Sequence, residues 1–359
     1  MKKTISVIIA TLVATAAASA QTNEGPESFY RGKTINLVIG FAPGGGSDLT
    51  GRMIAQHIRK HIPGNPSVVP RNLAGAGGII AMNSVGAALP DGLTAYWGTA
   101  GFEVQMIGDP ALRLDLRTFE FIGGGPGTEV FYVRTDVEPP LKTPLDLKNV
   151  TNLWTGGFAT TSIKDMRLRL ALDILAFKHN HVTGFSGNGP ARLALQQKTI
   201  SGYVEGFASY TTQVKPNLVD KGEVIPIFHY GLYDEKGQSQ PLPGAEHIPT
   251  FEAYFKQIHG AEPTGVAADA FRALASSTVV MQRWMGLTPR SPPDAVRVLR
   301  EAWMKLATDE EYLSDSEKLE GSRPTLVSGA TAENVVREAL NSKPEIIEFL
   351  KKRVAAEPK

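Results

Sequence analysis

The segment Thr34–Asp48 reads TINLVIGFAPGGGSD and contains the clearest indication of the fold class. Its first eight residues are mostly apolar or β-branched and stop abruptly at a proline and three glycines, which predicts a strand followed by a tight loop. Apolar residues then recur at Met53, Ile54 and Ile58, the spacing of one helical face, with Ser47 or Asp48 placed to cap the helix. The predicted unit is therefore a strand, a glycine-rich loop and a helix.

The same unit recurs along the chain. Ser67–Leu73 predicts a second strand, which is followed by the glycine-rich run Ala74–Gly78 and an apolar stretch Ile79–Leu89 that predicts a second helix. Thr94–Trp97 predicts a third strand that leads into further small residues. Such alternation of strands and helices favours a parallel α/β sheet, and the last hundred residues are predicted to be largely helical.

Composition excludes several classes of function. The chain has 359 residues with 42% hydrophobic and 20% charged composition, which is typical of a globular protein large enough for two domains. Its net charge of +1 provides no long-range field for nucleic acid, so no nucleic-acid partner is expected. The absence of cysteine excludes disulfides, thiolate metal sites and cysteine nucleophiles.

The N-terminal residues predict export. Lys2 and Lys3 precede an alanine-rich apolar run, which is followed by the small residues Ala18, Ser19 and Ala20. This pattern is typical of a cleavable secretory signal, because the apolar run is shorter than a membrane-spanning helix requires. We therefore expect residues 1–20 to be a signal peptide cleaved after Ala20 and the remaining chain to be periplasmic.

The glycine loops favour anion binding over catalysis. Helix N-termini present unpaired N–H groups and partial positive charge, so a glycine-rich turn between strand and helix suits a carboxylate. A dinucleotide motif is incomplete, since Gly44-x-Gly46 is followed by Leu49 where a third glycine is required. The nearest approach to a hydrolase serine motif, Gly184–Asn188, lacks its final glycine.

Metal and acid–base sites are also weakly supported. His57 and His61 lie four residues apart, and His179 and His181 lie two apart, so either pair could in principle share a metal, but neither has a metalloprotease context. The acidic run Asp309–Glu311 is interpreted as part of a solvated helix. The histidines are predicted to lie on segments remote from the glycine loops. The sequence predicts no enzyme activity, no cofactor and no metal.

Several further segments occur in a characteristic order and spacing: Tyr30–Asp48, Asn72–Gly78, Leu89–Thr94 with Gly98–Gly101, Phe185–Ala191, Ile248–Phe251 and Trp284–Asp294. In this order of motifs the chain resembles one known family, the Bug-type periplasmic solute-binding proteins of tripartite tricarboxylate transporters, also called TctC-like. The resemblance covers nearly the whole chain after the signal peptide.

The resemblance implies an α/β clamshell of the type II-like periplasmic-binding-protein class. Each of its two lobes would be a mixed sheet flanked by helices, with the ligand cleft between the lobes. Lobe one would comprise 28–127 and 232–359, and lobe two would comprise 128–231. The chain would cross between lobes near 120–135 and 224–231.

The resemblance also implies the ligand and the residues that contact it. The family is expected to bind small carboxylates through backbone amides, hydroxyls and ordered waters, without an arginine or lysine clamp. Carried over by position, the ligand-binding residues are Pro43, Gly44, Gly45, Gly46, Ser47, Asp48, Thr99, Ala100, Phe158, Ala159, Thr160, Thr161, Phe185, Ser186, Asn188, Gly189 and Glu205.

Some of these positions depart from the family pattern and leave alternatives open. Asp48 is interpreted as a helix cap more than as a ligand contact. Glu205 stands where relatives carry an aspartate, and it could either contact the ligand or make a capping or lobe-closing contact. Phe158 and Phe185 suggest a flatter, more apolar ligand. The expected ligand is therefore an aliphatic di- or tricarboxylate or an aromatic acid.

The expected function is capture of this ligand by a monomeric protein that delivers it to membrane transporter subunits. One alternative is a ligand-dependent or ligand-free partner of a membrane sensor. A secreted enzyme on the same architecture is the other alternative.

Overall fold

A computed structural model describes residues 29–99, 101–233, 239–240, 242, 244–321 and 323–356. The predicted signal peptide, residues 1–20, and the predicted ligand contact Ala100 lie outside these ranges. The strands are β1 (Thr34–Ile39), β2 (Ser67–Asn72), β3 (Thr94–Thr99), β4 (Glu120–Gly125), β5 (Glu129–Arg134), β6 (Leu153–Gly156), β7 (His179–Val182), β8 (Gly202–Gly206), β9 (Val224–His229), β10 (Leu232–Tyr233), β11 (Ser239–Gln240), β12 (Arg283–Leu287) and β13 (Val327–Ser328).

Helices cover both sheets and dominate the C-terminal part. They are α1 (Gly46–Ile58), α2 (Ile79–Gly86), α3 (Phe102–Met106), α4 (Ile163–Ile174), α5 (Asn188–Gln196), α6 (Phe207–Ser209), α7 (Phe251–His259), α8 (Val266–Val280), α9 (Pro293–Lys305), α10 (Glu310–Glu320), α11 (Gly329–Leu340) and α12 (Pro344–Ala355). A π-helical segment, Tyr210–Val219, continues α6. The predicted helical character of the last hundred residues is confirmed.

The strands form two main sheets. The first has the order β13-β4-β12-β3-β1-β2 and the second the order β7-β6-β8-β5-β9, while β10 and β11 pair separately. The predicted α/β class with two mixed sheets flanked by helices is confirmed.

The parallel pairing that the alternation favours is found in part of each sheet. β1, β2 and β3 are parallel neighbours, as are β6, β7 and β8. β12, however, inserts antiparallel between β3 and β4, and β5 lies antiparallel between β8 and β9. The strand–loop–helix pattern identifies the parallel strands, but it contains no information on strands that arrive from another part of the chain.

β1 and α1 show how the N-terminal unit folds. Ile35, Leu37 and Ile39 alternate along β1 and are fully buried. They pack in one apolar cluster with Ile54 and Ile58 of α1, whose helical spacing places them on the face toward the sheet. The glycine loop and the start of α1 therefore lie together at the C-terminal end of β1.

Helix α1 begins three residues before Leu49. Gly45 is its N-cap, and no side chain caps it, so the predicted capping by Ser47 or Asp48 is wrong. Gly44 adopts a φ of +79°, which lets the chain turn directly into the helix. Ser47 and Asp48 consequently lie within the first turn, and Asp48 accepts a hydrogen bond from the Gly44 amide at 2.9 Å.

The chain passes from the first sheet to the second between β4 and β5, in the predicted first crossing region. The predicted second crossing, 224–231, instead coincides with β9 of the second sheet. Helix α7 contacts β9, and Phe251 packs against Phe228 with ring centroids 5.5 Å apart. The next strand of the first sheet is β12. These contacts group α7 with the second sheet, whereas the predicted lobe one includes 232–359.

Within the described ranges, no helix has both the length and the apolar character needed to cross a membrane.

Candidate ligand-binding cleft

A cleft of about 40 Å³ lies where the starts of α1, α4 and α5 meet. Elements of both sheets contribute to it. Its lining residues are Phe41, Gly45, Gly46, Ser47, Thr99, Glu129, Phe158, Ser162, Ile163, Lys164, Gly187, Asn188, Gly206, Thr278, Gln282 and Arg283. A cavity of this size holds about three water molecules, which is less space than an organic molecule occupies.

Two helix N-termini without side-chain caps face each other across the cleft. The N-cap of α1 is Gly45 and that of α5 is Gly187, and neither end has a side-chain capping bond. A Cβ placed on Gly45 would lie 4.0 Å from the Asn188 amide nitrogen. First-turn amides have no partner within their own helix, so both ends offer N–H donors to an anion.

The two sides of the cleft also touch directly. The Ala42 amide donates to the Ser186 carbonyl at 3.1 Å. The Glu103 carboxylate accepts from the Ile163 amide, the first of α4, at 3.1 Å and from the Gly101 amide at 2.7 Å. Burial raises the pKa of Glu103 to about 7, although these amide bonds oppose the shift. Contacts from the first sheet therefore hold the starts of α4 and α5.

A buried carboxylate supports the loop 157–162 that precedes α4. Asp165 accepts from the Phe158 amide at 3.0 Å, from the Ser162 hydroxyl and from His181 Nε2, which lies 2.6 Å away. Burial opposes ionisation of Asp165, but the hydrogen bond and charge of His181 outweigh it, so its pKa lies below the ordinary value. The prediction that the histidines lie far from the loops is therefore wrong for His181.

Charged side chains reach the cleft, in contrast to the implied absence of a basic clamp. Lys164, in the first turn of α4, and Arg283, at the start of β12, both line it. Arg283 pairs with Glu320 at 3.2 Å, whereas the Lys164 ammonium donates to the neutral oxygens of Asn188 and Tyr203 at 2.9 and 2.6 Å. Glu129, the acidic lining residue, lies 3.5 Å from Arg167.

Aromatic rings form one wall. Phe41, from the end of the first strand unit, meets Phe158, from loop 157–162, with ring centroids 5.3 Å apart. Phe185 does not line the cleft but packs against the apolar cluster beneath the second sheet. The aromatic character predicted from Phe158 and Phe185 is thus supplied by Phe158 with Phe41.

The cleft brings together only part of the predicted ligand-binding set. Those that line it are Gly45, Gly46, Ser47, Thr99, Phe158 and Asn188. Those described but not lining it are Pro43, Gly44, Asp48, Ala159, Thr160, Thr161, Phe185, Ser186, Gly189 and Glu205.

Asp48 and Glu205 are engaged inside the protein. Asp48 binds Arg52 and Asn72 as well as the Gly44 amide, and these bonds outweigh burial and keep its pKa below the ordinary value. Glu205 is fully buried; it pairs with Arg192 and accepts from the Tyr132 hydroxyl at 3.1 Å. Both carboxylates therefore bind groups of the protein itself and stabilise the loops next to the cleft without lining it.

The residues that sequence reasoning missed are Phe41, Glu129, Ser162, Ile163, Lys164, Gly187, Gly206, Thr278, Gln282 and Arg283. Ser162 to Lys164 directly follow the predicted loop, so the start of the next helix was the available signal. Gln282 and Arg283 carry no local signal, because β12 reaches the cleft only through the antiparallel insertion described above.

The histidine pairs do not form a shared metal site among the described residues. His57, Asp309 and Glu311 could place ligand atoms within 4.8 Å of one another. The Lys60 ammonium lies 2.8 Å from Asp309 and 2.7 Å from Glu311, so a cation already balances these carboxylates. His61 pairs with Asp309 at 2.8 Å.

A larger cavity of about 200 Å³ adjoins the cleft through Gln282 and Arg283. Its lining includes Trp97 and Trp303. It contains none of the predicted ligand-binding residues, so the smaller cleft is the candidate site.

Comparison with known proteins gives consistent relatives. The chain is 32% identical over 202 residues to a UPF0065 protein from the TAR-I ttuE-ttuC′ intergenic region of Agrobacterium vitis. It is 36% identical over 214 residues to a UPF0065 protein of Bordetella pertussis. These matches cover 53% and 56% of this chain and span 56% and 61% of the relatives, little more than half their length. No family model matches the chain.

Solved structures share the fold over nearly the whole chain. Periplasmic binding protein BugD superimposes with a TM-score of 0.70 at 18% identity, covering 92% of this chain and all of BugD. MatC of Rhodopseudomonas palustris with bound malate gives 0.64 at 19% identity, covering 89% and 98%. An R. palustris protein with adipate gives 0.65 at 18% identity, covering 90% and 96%. In fold and in motif order, the chain resembles the Bug and TctC family of periplasmic binding proteins.

Proposed function

We propose that this protein is an extracytoplasmic solute-binding protein that captures a small organic carboxylate in the cleft and delivers it to membrane transporter subunits. One observation carries the proposal: the uncapped N-termini of α1 and α5, each carried by a different sheet, point at the same small space. Neither end alone can replace the water around a carboxylate, so the acid binds between two lobes that close on it. The malate and adipate named for two structural neighbours support this ligand class.

A thermal-shift screen of the purified protein tests the proposal. Malate, adipate, citrate and benzoate are each added in excess, with the uncharged amides as matched controls. An acid at about one hundred times its dissociation constant stabilises the folded state by about 2.7 kcal/mol. We expect at least one acid, but not its amide, to raise the melting temperature. Absence of a shift with every acid contradicts the proposal, and turnover of a bound acid favours an enzyme.

A further inference from the structure

Lys164 is the one charged residue on the described cleft lining that lacks a counter-ion. Glu129 lies beside Arg167 and Arg283 beside Glu320, so these two lining charges are paired. The Lys164 side chain is buried, with 6% of the residue exposed. No described carboxylate lies within ion-pairing distance of its ammonium, whose acceptors are the neutral oxygens of Asn188 and Tyr203.

The position of Lys164 is unfavourable for the stability of the isolated protein. It lies in the first turn of α4, where the helix dipole favours anions over cations. Burial without a counter-ion carries a further cost, and it lowers the pKa of Lys164 to about 8. The Tyr203 hydroxyl donates to Asn188 at 2.9 Å without help from the lysine. The lysine is therefore dispensable for this local hydrogen bonding.

The surroundings of the ammonium are aromatic. It lies 4.4 Å from the Phe158 ring centroid and 3.9 Å from that of Tyr203. Phe158 in turn meets Phe41 from the other side of the cleft. A molecule in contact with Lys164 consequently has flat apolar walls beside its charged end.

We propose that Lys164 is the counter-ion for the single carboxylate of an aromatic monocarboxylate, whose ring lies against Phe41 and Phe158. One unpaired cation balances one carboxylate. A second carboxylate on the ligand would lie against phenyl rings or near Glu129, where no further unpaired cation among the described lining residues balances its charge. This inference rests on the proposed function and narrows its ligand class.

Isothermal titration with benzoate, adipate, malate and citrate tests the inference on the wild-type protein. We expect benzoate to bind at least tenfold more tightly than the other three acids. A tighter di- or tricarboxylate would overturn the ligand class while leaving the proposed function intact. If none of the acids binds, both the proposed function and this inference are wrong.

Two variants test the residues. Lys164→Met keeps the apolar stem and removes the charge, and we expect at least a 30-fold loss of benzoate affinity, since it leaves the bound carboxylate unpaired. Phe158→Leu removes the ring face and is expected to weaken benzoate by about threefold to tenfold. The matched control, Lys148→Met, removes an exposed lysine that does not line the cleft and should bind like the wild type.

Melting temperature separates a ligand role from a structural one. Lys164→Met should melt at or above the wild-type temperature in the absence of ligand, because it removes a buried unpaired charge. A variant that fails to fold, or one that folds and binds benzoate with wild-type affinity, refutes the assignment of Lys164 as the ligand's counter-ion.

Discussion

Raising the pH provides a quantitative test of the charge on Lys164. Burial lowers the pKa of this lysine to about 8 in the ligand-free protein. If only the ammonium form binds the carboxylate, the apparent dissociation constant is the intrinsic value divided by the protonated fraction. That fraction is about nine-tenths at pH 7, one-tenth at pH 9 and one-hundredth at pH 10, for a pKa of about 8. Affinity should therefore be nearly constant between pH 6 and 7, where the carboxylate is ionised, and fall about 100-fold by pH 10.

The sign of the proton linkage provides an independent check. A carboxylate next to the ammonium favours its charged form and raises the pKa of Lys164 in the complex. Between the free and bound pKa values, binding takes up a proton, and the observed heat depends on the ionisation enthalpy of the buffer. Titrations in two buffers at pH 9 should show uptake approaching one proton per ligand.

Other ionisable groups near Lys164 must be distinguished from it. Glu129 on β5, Glu205 on β8, Asp165 on α4 and Arg192 on α5 all act electrostatically on the lysine. Tyr203 contacts it, but burial raises the pKa of that phenol well above its ordinary value.

Lys164→Met is the matched control, because it retains these four charged groups and Tyr203. Its residual affinity should be independent of pH from 7 to 10. A flat wild-type profile, or a variant that keeps the wild-type slope, would refute the reasoning.

Four further results are expected. Lys164→Met should have a free energy of unfolding about 3 kcal/mol higher than that of the wild type at pH 7, because burial lowers the pKa of Lys164 from 10.5 to about 8. Chemical denaturation should show this difference shrinking between pH 8 and 10.5, where unfolded wild-type protein binds more protons than the folded protein. Gly45→Val should fold normally, since the φ of Gly45 is −86° and an added Cβ has no contact under 3.8 Å. Titration should nevertheless show at least a 100-fold loss of affinity, because the valine side chain fills the cleft. Wild-type affinity in this variant would mean that the ligand binds elsewhere. Glu205→Gln should cost about 3 kcal/mol in denaturation by leaving Arg192 unpaired, with affinity within about threefold; a large affinity loss at wild-type stability would instead make Glu205 a ligand contact. Asp165→Asn should lower both the free energy of unfolding and the ligand affinity, because it weakens the hydrogen bonds that hold loop 157–162. Unchanged affinity by calorimetry would show that these hydrogen bonds do not contribute to binding.

The fold class was predictable because its signals are local. The alternation that buries Ile35, Leu37 and Ile39 and the helical spacing of Ile54 and Ile58 are visible within one short stretch, and each determines which face is buried. The antiparallel position of β12 was not predictable in the same way, since the pairing of Trp284 with Gly98 and Gly124 joins segments far apart in the chain.

The parts of the candidate site that depend on backbone position were predictable from the sequence. The parts that depend on side chains from distant segments were not. Gly45, Gly46 and Asn188 lie at helix starts that follow glycine-rich loops, so the local pattern and the family resemblance both indicate them. Lys164 has the ordinary appearance of a helical lysine in the sequence. Only the packing of Tyr203 and Phe158 around its ammonium shows that it is buried and faces the cleft.

The difference between backbone and side-chain contributions explains why proteins with the same fold need not bind the same ligand. Each uncapped helix end contributes about half a positive charge, which attracts any small carboxylate and depends only on backbone placement. A full charge from Lys164 and two phenyl faces, by contrast, depend on three side chains that neighbours with the same backbone are free to change. We infer that the helix ends account for the general affinity for anions and that Lys164, Phe41 and Phe158 determine which acid fits. Exchange of these three side chains should therefore change the preferred acid, and aromatic or similarly sized replacements at buried Phe41 should preserve its packing.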